Sequence, residues 1–190
     1  HEDVVRLKEA LREAEKHRCD EIICLGDIIG FNYPNFGFYD TRNASECIGL
    51  VRENCKYIVA GNHDFYSVNR LPEHAAGFPY PDNWYDLDYN EKKTLAGDRV
   101  WVMEVCEFDP LIGKDEKEYM RTIPEWLVIP AGDYNILATH YLYPDLPGLT
   151  ATYYEQFGPV QDHLEYISSK DCLIGFSGHK HNERATLFKE

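Results

Sequence analysis

The sequence has few basic residues and no long apolar segment, and both shortages restrict its partners. Its 190 residues include 19 Lys and Arg against 33 Asp and Glu, which gives a net charge of −14. This charge repels the phosphate backbone of nucleic acids and anionic lipid surfaces, so we expect neither as a partner. The longest apolar segments, such as residues 21–25 and 126–130, are as long as a strand, far below the ~18 residues of a membrane span.

The sequence also lacks the cysteine pairs of a zinc or redox site. Its six cysteines are scattered, and no two of them form Cys-x-x-Cys. Several lie in or beside apolar segments, where cysteine behaves as a small buried hydrophobic residue. The first residues do not form the basic and apolar regions of a signal peptide. We therefore expect reduced thiols and a cytoplasmic location.

The first sixty residues predict alternating helices and strands. Residues 2–17 have the apolar spacing of an amphipathic helix, with Asp3 as its N-cap. The continuous apolar segment 21–25 predicts a strand that is covered on both faces. Asn43 and Glu46 form the pattern of a capping box before a helix that reaches residue 55, and residues 57–60 predict the next strand. This order is typical of a parallel α/β sheet.

The rest of the chain is less regular. Residues 65–88 predict an ordered loop, 91–96 a short helix, and 98–106 either a short helix or a strand. Residues 115–120 predict a helical turn capped by Asp115. Residues 126–129 and 135–139 predict an antiparallel pair, followed by a helix over 160–169 and a strand over 172–176. We interpret residues 1–190 as a single domain with an irregular, cap-like insert over about 65–125.

Polar residues follow four of the predicted strands. Ligands of open α/β sheets bind outside the carboxyl ends of the strands, so we expect these residues to meet at one edge. Carboxylate, amide and imidazole groups together favour Mn, Fe, Zn or Ni over Ca or Mg. The segments are Gly26-Asp27-Ile28-Ile29-Gly30, Gly61-Asn62-His63-Asp64, Thr139-His140 and Gly178-His179-Lys180-His181.

These motifs, in this order, resemble the calcineurin-like metallophosphoesterase family and above all its compact prokaryotic phosphodiesterases. The resemblance covers essentially the whole chain. It implies a mixed α/β fold in which a two-sheet β-sandwich is flanked by helices and two divalent metal ions lie at the strand ends. The family pattern opens with Asp-x-His on a first strand and continues past Gly-His-x-His, so we expect that first strand and C-terminal strands to be missing from this sequence.

The resemblance also implies a role for each motif residue. Asp27 would bridge two divalent ions, with manganese the first choice among Mn, Fe, Ni and Zn. Asn62, His140 and His179 would complete one metal site, and His1 and His181 the other. The lengths of the first helix and of the strand that returns from it place His1 near Asp27. The alternative is that His1 is a frayed terminus without a role. His63 would be the general acid, and Asp64 would orient its ring.

The candidate substrate contacts have two interpretations. Some aromatic and basic side chains near the motifs could line a cleft or could equally pack loops and cap helices. These candidates are Tyr33, Asn35, Tyr39, Arg42, Tyr66, Arg70 and Tyr141. The three other histidines, His17, His74 and His163, match no motif, and we interpret them as surface groups or groups with a hydrogen-bonding partner.

The sequence therefore predicts a metal-dependent phosphoric ester hydrolase. We expect it to hydrolyse a small phosphodiester, or else a phosphomonoester, by attack of hydroxide held between the two metals, and we favour the phosphodiester. One alternative is a non-catalytic scaffold of the same fold. Others are a protein phosphatase and a dinucleoside polyphosphate hydrolase. Nothing in the sequence indicates an oligomeric state.

Overall fold

The computed structural model describes residues 1–103, 106–150 and 157–181, with the backbone alone for 157–159. The helices are α1 (Val4–Lys16), α2 (Ala44–Asn54), α3 (Asn62–Val68), α4 (Tyr89–Ala96), α5 (Lys114–Thr122) and α6 (Phe157–Ser169). The strands are β1 (Ile23–Cys24), β2 (Phe31–Asn32), β3 (Tyr57–Ile58), β4 (Glu107–Phe108), β5 (Trp126–Ala131), β6 (Tyr134–Thr139) and β7 (Ile174–Phe176). Two single 3₁₀ turns cover Tyr39–Thr41 and Trp84–Asp86.

The first two long helices cover one face of a small parallel sheet. Strands β1 and β3 pair in parallel, with Ile23 opposite Tyr57 and Cys24 opposite Ile58. Side chains alternate between the two faces of a strand, so Cys24 and Ile58 face the apolar cluster that α1 and α2 form. The predicted helix–strand–helix–strand order and its parallel pairing are confirmed.

A second sheet packs on the other face of β1 and β3. Strand β6 pairs antiparallel with β5 and parallel with β7. Val59, Ile129 and Ala138 form a buried cluster that Ile23 and Tyr57 contact from the first sheet. On the far face of β6, Leu137 packs against Ile167 and other residues of the α6 region. The order of layers is helices, sheet, sheet, helix, so the mixed α/β fold with two flanked sheets is confirmed.

The observed caps agree with two predictions and overturn a third. Asp3 accepts a hydrogen bond from the backbone N–H of Arg6, and Asn43 accepts one from that of Glu46. These contacts satisfy N–H groups that a helix leaves unpaired in its first turn. The predicted Asp115 cap is wrong, because α5 begins one residue earlier. Its N-cap is Gly113, whose N–H donates to Glu116.

The middle of the chain is less regular than its flanks. Residues 98–103 form neither the predicted helix nor a named strand, and Val100 makes an isolated bridge to Thr150. Residues 104 and 105 of the same predicted element lie outside the described residues. Strand β4 pairs antiparallel with β2 and forms a third small sheet. The extent of the insert over 65–125 stays a prediction.

Two further observations bear on the environment of the chain. None of the six cysteines is in a disulfide, and burial raises the pKa of Cys24 to about 12, so this thiol stays protonated. In the described part of the chain, no helix combines the length and apolar character that a membrane crossing needs.

Candidate metal centre

Four strand ends bring the predicted ligands to one place. Asp27 lies three residues after β1, and Asn62 opens α3 directly after the β3 strand and its turn. His140 follows β6 immediately, and the Gly178-His179-Lys180-His181 segment follows β7. The backbone of Asp27, with φ of 55°, is in the left-handed region that few residues other than glycine adopt. The turn after each strand therefore directs its polar side chain to a shared edge.

Glycines allow the first two of these turns to approach each other. A Cβ on Gly26 would lie 2.5 Å from the backbone nitrogen of Gly61, and the φ of Gly26 is +96°. A Cβ on Gly61 would lie 2.2 Å from Oδ1 of Asp27 and 2.7 Å from the His140 ring. Neither contact is sterically allowed, so both positions need glycine for the ligand turns to pack together.

The first ligand group contains Asp27, His140, His179 and Asn62. The Nε2 atom of His140 lies 3.2 Å from Oδ2 of Asp27 and 3.1 Å from Nδ1 of His179. The same Nδ1 lies 3.1 Å from Oδ1 of Asn62. Four electron-pair donors therefore face one another at the separations of ligands around a shared cation.

The second ligand group contains His1, His181 and again Asp27. The Nε2 atoms of His1 and His181 lie 2.8 Å apart, and Nε2 of His1 lies 3.5 Å from Oδ2 of Asp27. A backbone hydrogen bond of 3.1 Å from Glu2 to the carbonyl oxygen of Ile28 holds this part of the chain beside the Asp27 turn. His1 therefore lies at the site, as the ligand interpretation requires.

The Oδ2 atom of Asp27 belongs to both groups, which is the position of a bridging carboxylate. The other oxygen of this carboxylate accepts a hydrogen bond from the backbone N–H of His63. Burial opposes the charge of Asp27, but the neighbouring His140 and His63 outweigh burial and hold its pKa well below the usual range. Asp27 is thus an anion, as a metal-bridging ligand must be.

The donor set fits divalent metal ions. Asp27, His140 and His179 could hold a metal ion, and so could His1, Asp27 and His181, since the ligand atoms of each set lie within 4.8 Å of one another. Burial and the charge of His140 lower the pKa of His179 to about 3, so its ring is neutral and has a lone pair to donate. Imidazole, carboxylate and amide ligands together suit Mn, Fe, Ni or Zn.

His63 lies beside the ligands, but its acidic partner differs from the predicted one. Its Nδ1 atom contacts Oε1 of Glu107, a residue of β4. Burial lowers the pKa of His63, and the charges of Asp27 and Glu107 more than offset this effect, so the pKa is raised. The sequence motifs do not indicate Glu107, because it belongs to an irregular segment 44 residues after His63.

Asp64 has a structural position instead of the predicted one beside the His63 ring. Its Oδ1 accepts hydrogen bonds from the backbone N–H groups of Ile28 and Ile29, at 2.9 and 3.0 Å. Its Oδ2 accepts one from Gly61 at 3.0 Å. The expectation that Asp64 orients His63 is therefore corrected: Asp64 joins the turn after β1 to the turn after β3, and Glu107 contacts the ring.

A cleft of about 620 Å³ opens over the ligands. Asp27, Asn62 and His63 line it, together with residues 100–103, which include Trp101 and Met103. Of the candidate substrate contacts, Asn35 lines this cleft. Most of the others have packing contacts: the Tyr33 ring stacks on Phe108, Arg42 lies over Phe31 and Phe108, Arg70 lies over Phe65, and the Tyr39 hydroxyl donates to a backbone carbonyl.

The three histidines outside the motifs have the surroundings that were expected. His17 is exposed beside Glu13, and Nδ1 of His74 lies 2.7 Å from the buried Glu125 carboxylate. His163 is buried, and its Nδ1 accepts a hydrogen bond from the backbone N–H of Tyr143. Each of the three is therefore a surface group or has a hydrogen-bonding partner, and none belongs to either ligand group.

Comparisons with known proteins agree with this geometry. The model of the calcineurin-like phosphoesterase family matches residues 1–183. A metallophosphoesterase from Sphaerobacter thermophilus superposes with a TM-score of 0.56 at 22% identity, over 95% of this chain and 57% of that one. The hypothetical protein PH1004 from Pyrococcus horikoshii OT3 superposes with a TM-score of 0.51 at 17% identity, over 93% and 63% of the two chains.

The chain thus spans about three fifths of the length of these two solved structures. Proteins with curated descriptions include no significant match. The family model covers nearly all of the sequence and includes every ligand-bearing turn described above. The chain belongs to the calcineurin-like phosphoesterase family.

Proposed function

We propose that this protein is a hydrolase of small phosphodiesters that uses two divalent metal ions. The single observation that supports this most strongly is the Asp27 carboxylate, whose Oδ2 atom belongs to both ligand groups. Two cations about 3.5–4 Å apart are the arrangement of two-metal phosphoester hydrolysis, and such cations need a shared anionic ligand. When bound, they would polarise the phosphoryl group and supply the hydroxide nucleophile, with manganese our first choice of metal.

The residues of the chain would then bind the metals and move one proton. Asn62, His140 and His179 would bind one ion, His1 and His181 the other, and Asp27 both. The ring of His63 lines the cleft, so its Nε2 can protonate the oxygen that leaves phosphorus. This step lets an alcohol depart in place of an alkoxide.

The cleft favours a small organic phosphoester over a polymer. Its volume of about 620 Å³ lies within the usual range for small-molecule sites, and Val100, Trp101, Val102 and Met103 make one wall largely apolar. Lys93 and Lys180 also line it, so a single phosphate would meet positive charge there. With a net charge of −14, the chain otherwise lacks the basic surface that tracks a nucleic-acid backbone. We further propose a cytoplasmic location, in line with the six free thiols.

Metal-dependent turnover is the direct test. The protein is stripped with a chelator and assayed with Mn²⁺, Ni²⁺, Zn²⁺ or Mg²⁺ on bis-p-nitrophenyl phosphate and p-nitrophenyl phosphate. We expect Mn²⁺ to restore hydrolysis, with the diester faster than the monoester. A faster monoester would overturn the diesterase proposal and retain the phosphoesterase.

The same preparation addresses the alternatives. Folded protein that binds two equivalents of metal and turns over neither ester would contradict the proposed substrate class. It would favour a protein phosphatase or a dinucleoside polyphosphate hydrolase, which a phosphopeptide and a dinucleoside polyphosphate would test. Folded protein that binds no metal would favour the scaffold.

A further inference from the structure

The buried contact between His63 and Glu107 has no counterpart in the sequence motifs. Nδ1 of His63 lies against Oε1 of Glu107, and the two side chains are only 11% and 9% exposed. The contact joins the first turn of α3 to β4, a strand of the irregular middle segment. It therefore links the centre of the site to a part of the chain that the family motifs do not include.

Backbone pairing fixes the position of Glu107. Strand β4 pairs antiparallel with β2, and in this register Glu107 lies opposite Asn32, which lines the cleft. A hydrogen bond of 3.1 Å from the Tyr33 N–H to the carbonyl oxygen of Cys106 continues the same pairing. The register of a strand pairing fixes the position of every residue along the strand. The pairing of β4 with β2 therefore holds the Glu107 carboxylate beside the His63 ring.

The turn that contains Gly30 packs against His63 and the Glu107 carboxylate. A Cβ on Gly30 would lie 2.6 Å from Cβ of His63 and 3.3 Å from Oε2 of Glu107. Gly30 has a φ of +90°, so the turn itself also favours glycine. His63 thus lies between this turn and the Glu107 carboxylate, with little room for the ring to rotate.

We propose that Glu107 is the positioning residue of His63: it accepts a hydrogen bond from Nδ1–H and so presents Nε2 to the substrate. Asp64 does not take this part in the described structure, because its oxygens accept hydrogen bonds from the backbone N–H groups of Ile28, Ile29 and Gly61 and not from the His63 ring. A carboxylate that binds one ring nitrogen fixes the tautomer and the orientation of an imidazole. The proposal rests on the proposed function, in which His63 is the general acid.

The step that Glu107 supports is a proton transfer. As the bond from phosphorus to the leaving oxygen breaks, that oxygen keeps the electron pair and takes the proton from Nε2 of His63. The new bond to phosphorus comes from the attacking hydroxide, so the diester is converted into a phosphomonoester and an alcohol. Glu107 belongs to neither ligand group and is not among the described residues that line the cleft, so it would act through the His63 ring. A ring that rotates away from this position protonates the leaving oxygen less efficiently.

The kinetic test varies the leaving group in the metal-loaded protein. Aryl phosphodiesters that differ only in the leaving phenol are compared for wild type, Glu107→Ala, Glu107→Gln and the exposed control Glu9→Gln. We expect Glu107→Ala to lower kcat about 10–100-fold for phenol and only a few-fold for p-nitrophenol, which needs little protonation. Glu107→Gln keeps an acceptor for Nδ1–H and should retain more activity.

A merely structural role gives a different pattern. It would lower kcat by the same factor for every leaving group, and that result would overturn the proposal. Adding Glu107→Ala to His63→Ala should leave the leaving-group dependence unchanged, since the two residues act as one unit. An additional increase in that dependence in the double variant would also count against the proposal. Metal content, expected to stay at two equivalents, identifies any variant that has lost the site.

A second measurement does not depend on turnover. In the Zn²⁺-loaded protein labelled with ¹⁵N-histidine, the ring resonances of His63 are assigned with His63→Ala. We expect Glu107→Ala to shift the Nδ1 resonance and Glu9→Gln to leave it unchanged. An unchanged Nδ1 resonance in Glu107→Ala would overturn the positioning role, whereas absent turnover with a shifted resonance would overturn only the proposed function.

Discussion

His140 donates a hydrogen bond from Nδ1 to the carbonyl oxygen of Leu25, 2.6 Å away. This bond joins the end of β6 to the end of β1, just before Gly26 and Asp27. Because Nδ1 donates to this carbonyl, Nε2 is the ring nitrogen that remains to bind a metal ion, and it faces Oδ2 of Asp27 at 3.2 Å. One backbone carbonyl therefore sets both the tautomer and the direction of a metal ligand.

The two ligand groups should lose metal independently. We expect His140→Ala to remove the ion shared with His179, and His181→Ala to remove the ion shared with His1, so each variant keeps about one equivalent. Elemental analysis after dialysis measures this, with the exposed His17→Ala as the control that keeps two. Two equivalents in both variants would contradict the ligand assignment.

Asp27→Ala should have a larger effect, because its Oδ2 atom belongs to both groups. We expect the loss of both metals and of all metal-dependent turnover, with the fold retained by circular dichroism. Asp20→Ala, at an exposed aspartate, is the matched control. Two equivalents of metal in Asp27→Ala would show that Asp27 is not the bridging ligand.

His63→Ala should separate catalysis from metal binding. The variant should keep two equivalents of metal, since His63 is in neither ligand group. Its turnover should fall by about 10²–10⁴-fold, the usual loss of a general acid. The assay uses a phosphodiester with a poor leaving group, for which protonation matters most. Full activity on that substrate would remove His63 from the role.

Asp64→Ala should reduce stability more than it changes the leaving-group dependence. It would leave three backbone N–H groups without their acceptor, at about 1–3 kcal/mol for each buried group that stays unpaired. Urea unfolding should therefore show a loss of several kcal/mol, against little change in the exposed control Asp133→Ala. A variant of unchanged stability whose rate becomes more dependent on the leaving group would restore Asp64 as the orienting residue.

His163 should make stability depend on pH. Burial lowers its pKa to about 4, against about 6.5 in an unfolded chain. The unfolded state thus binds the proton first, so this contribution is complete above pH 6.5 and is lost as the pH falls towards 4. Its full size is about 3 kcal/mol, at 1.36 kcal/mol for each pKa unit. Urea unfolding at pH 7.5 and pH 5 should show a smaller difference in His163→Gln than in wild type. An equal difference in both would contradict the buried neutral state.

The strand ends were predictable because their signal is local. Each of these ligands follows an apolar segment directly, and glycines mark the turns. A segment of about ten residues is therefore enough to predict both the strand and the ligand after it. Asn62 and His140 illustrate this, since their strands and positions follow from neighbouring residues alone. The same holds for the caps at Asp3 and Asn43, which depend on contacts across one turn.

Glu107 was not predictable because its signal is distant. Strand β4 has two residues and no recognisable periodicity, and its partner β2 lies 75 positions earlier in the sequence. Asp64 was misassigned for a related reason. Its sequence position next to His63 suggests contact with the ring, but its carboxylate lies on the side of the helix start, where unpaired N–H groups compete for it. The predicted N-cap, Asp115, lies two residues after the observed N-cap, Gly113, and boundaries of helices commonly differ by this much.

His1 and His181 face each other across 180 positions of sequence. A cation bound by both would close nearly the whole described chain into a ring, much as a disulfide between distant cysteines does. In chain-entropy models the free energy of unfolding that such a closure adds grows with the logarithm of loop length and reaches several kcal/mol at about 100 residues. A metal at this position would therefore be a cross-link as well as a reagent, and the folded state would gain resistance to unfolding from the ion that the chemistry needs.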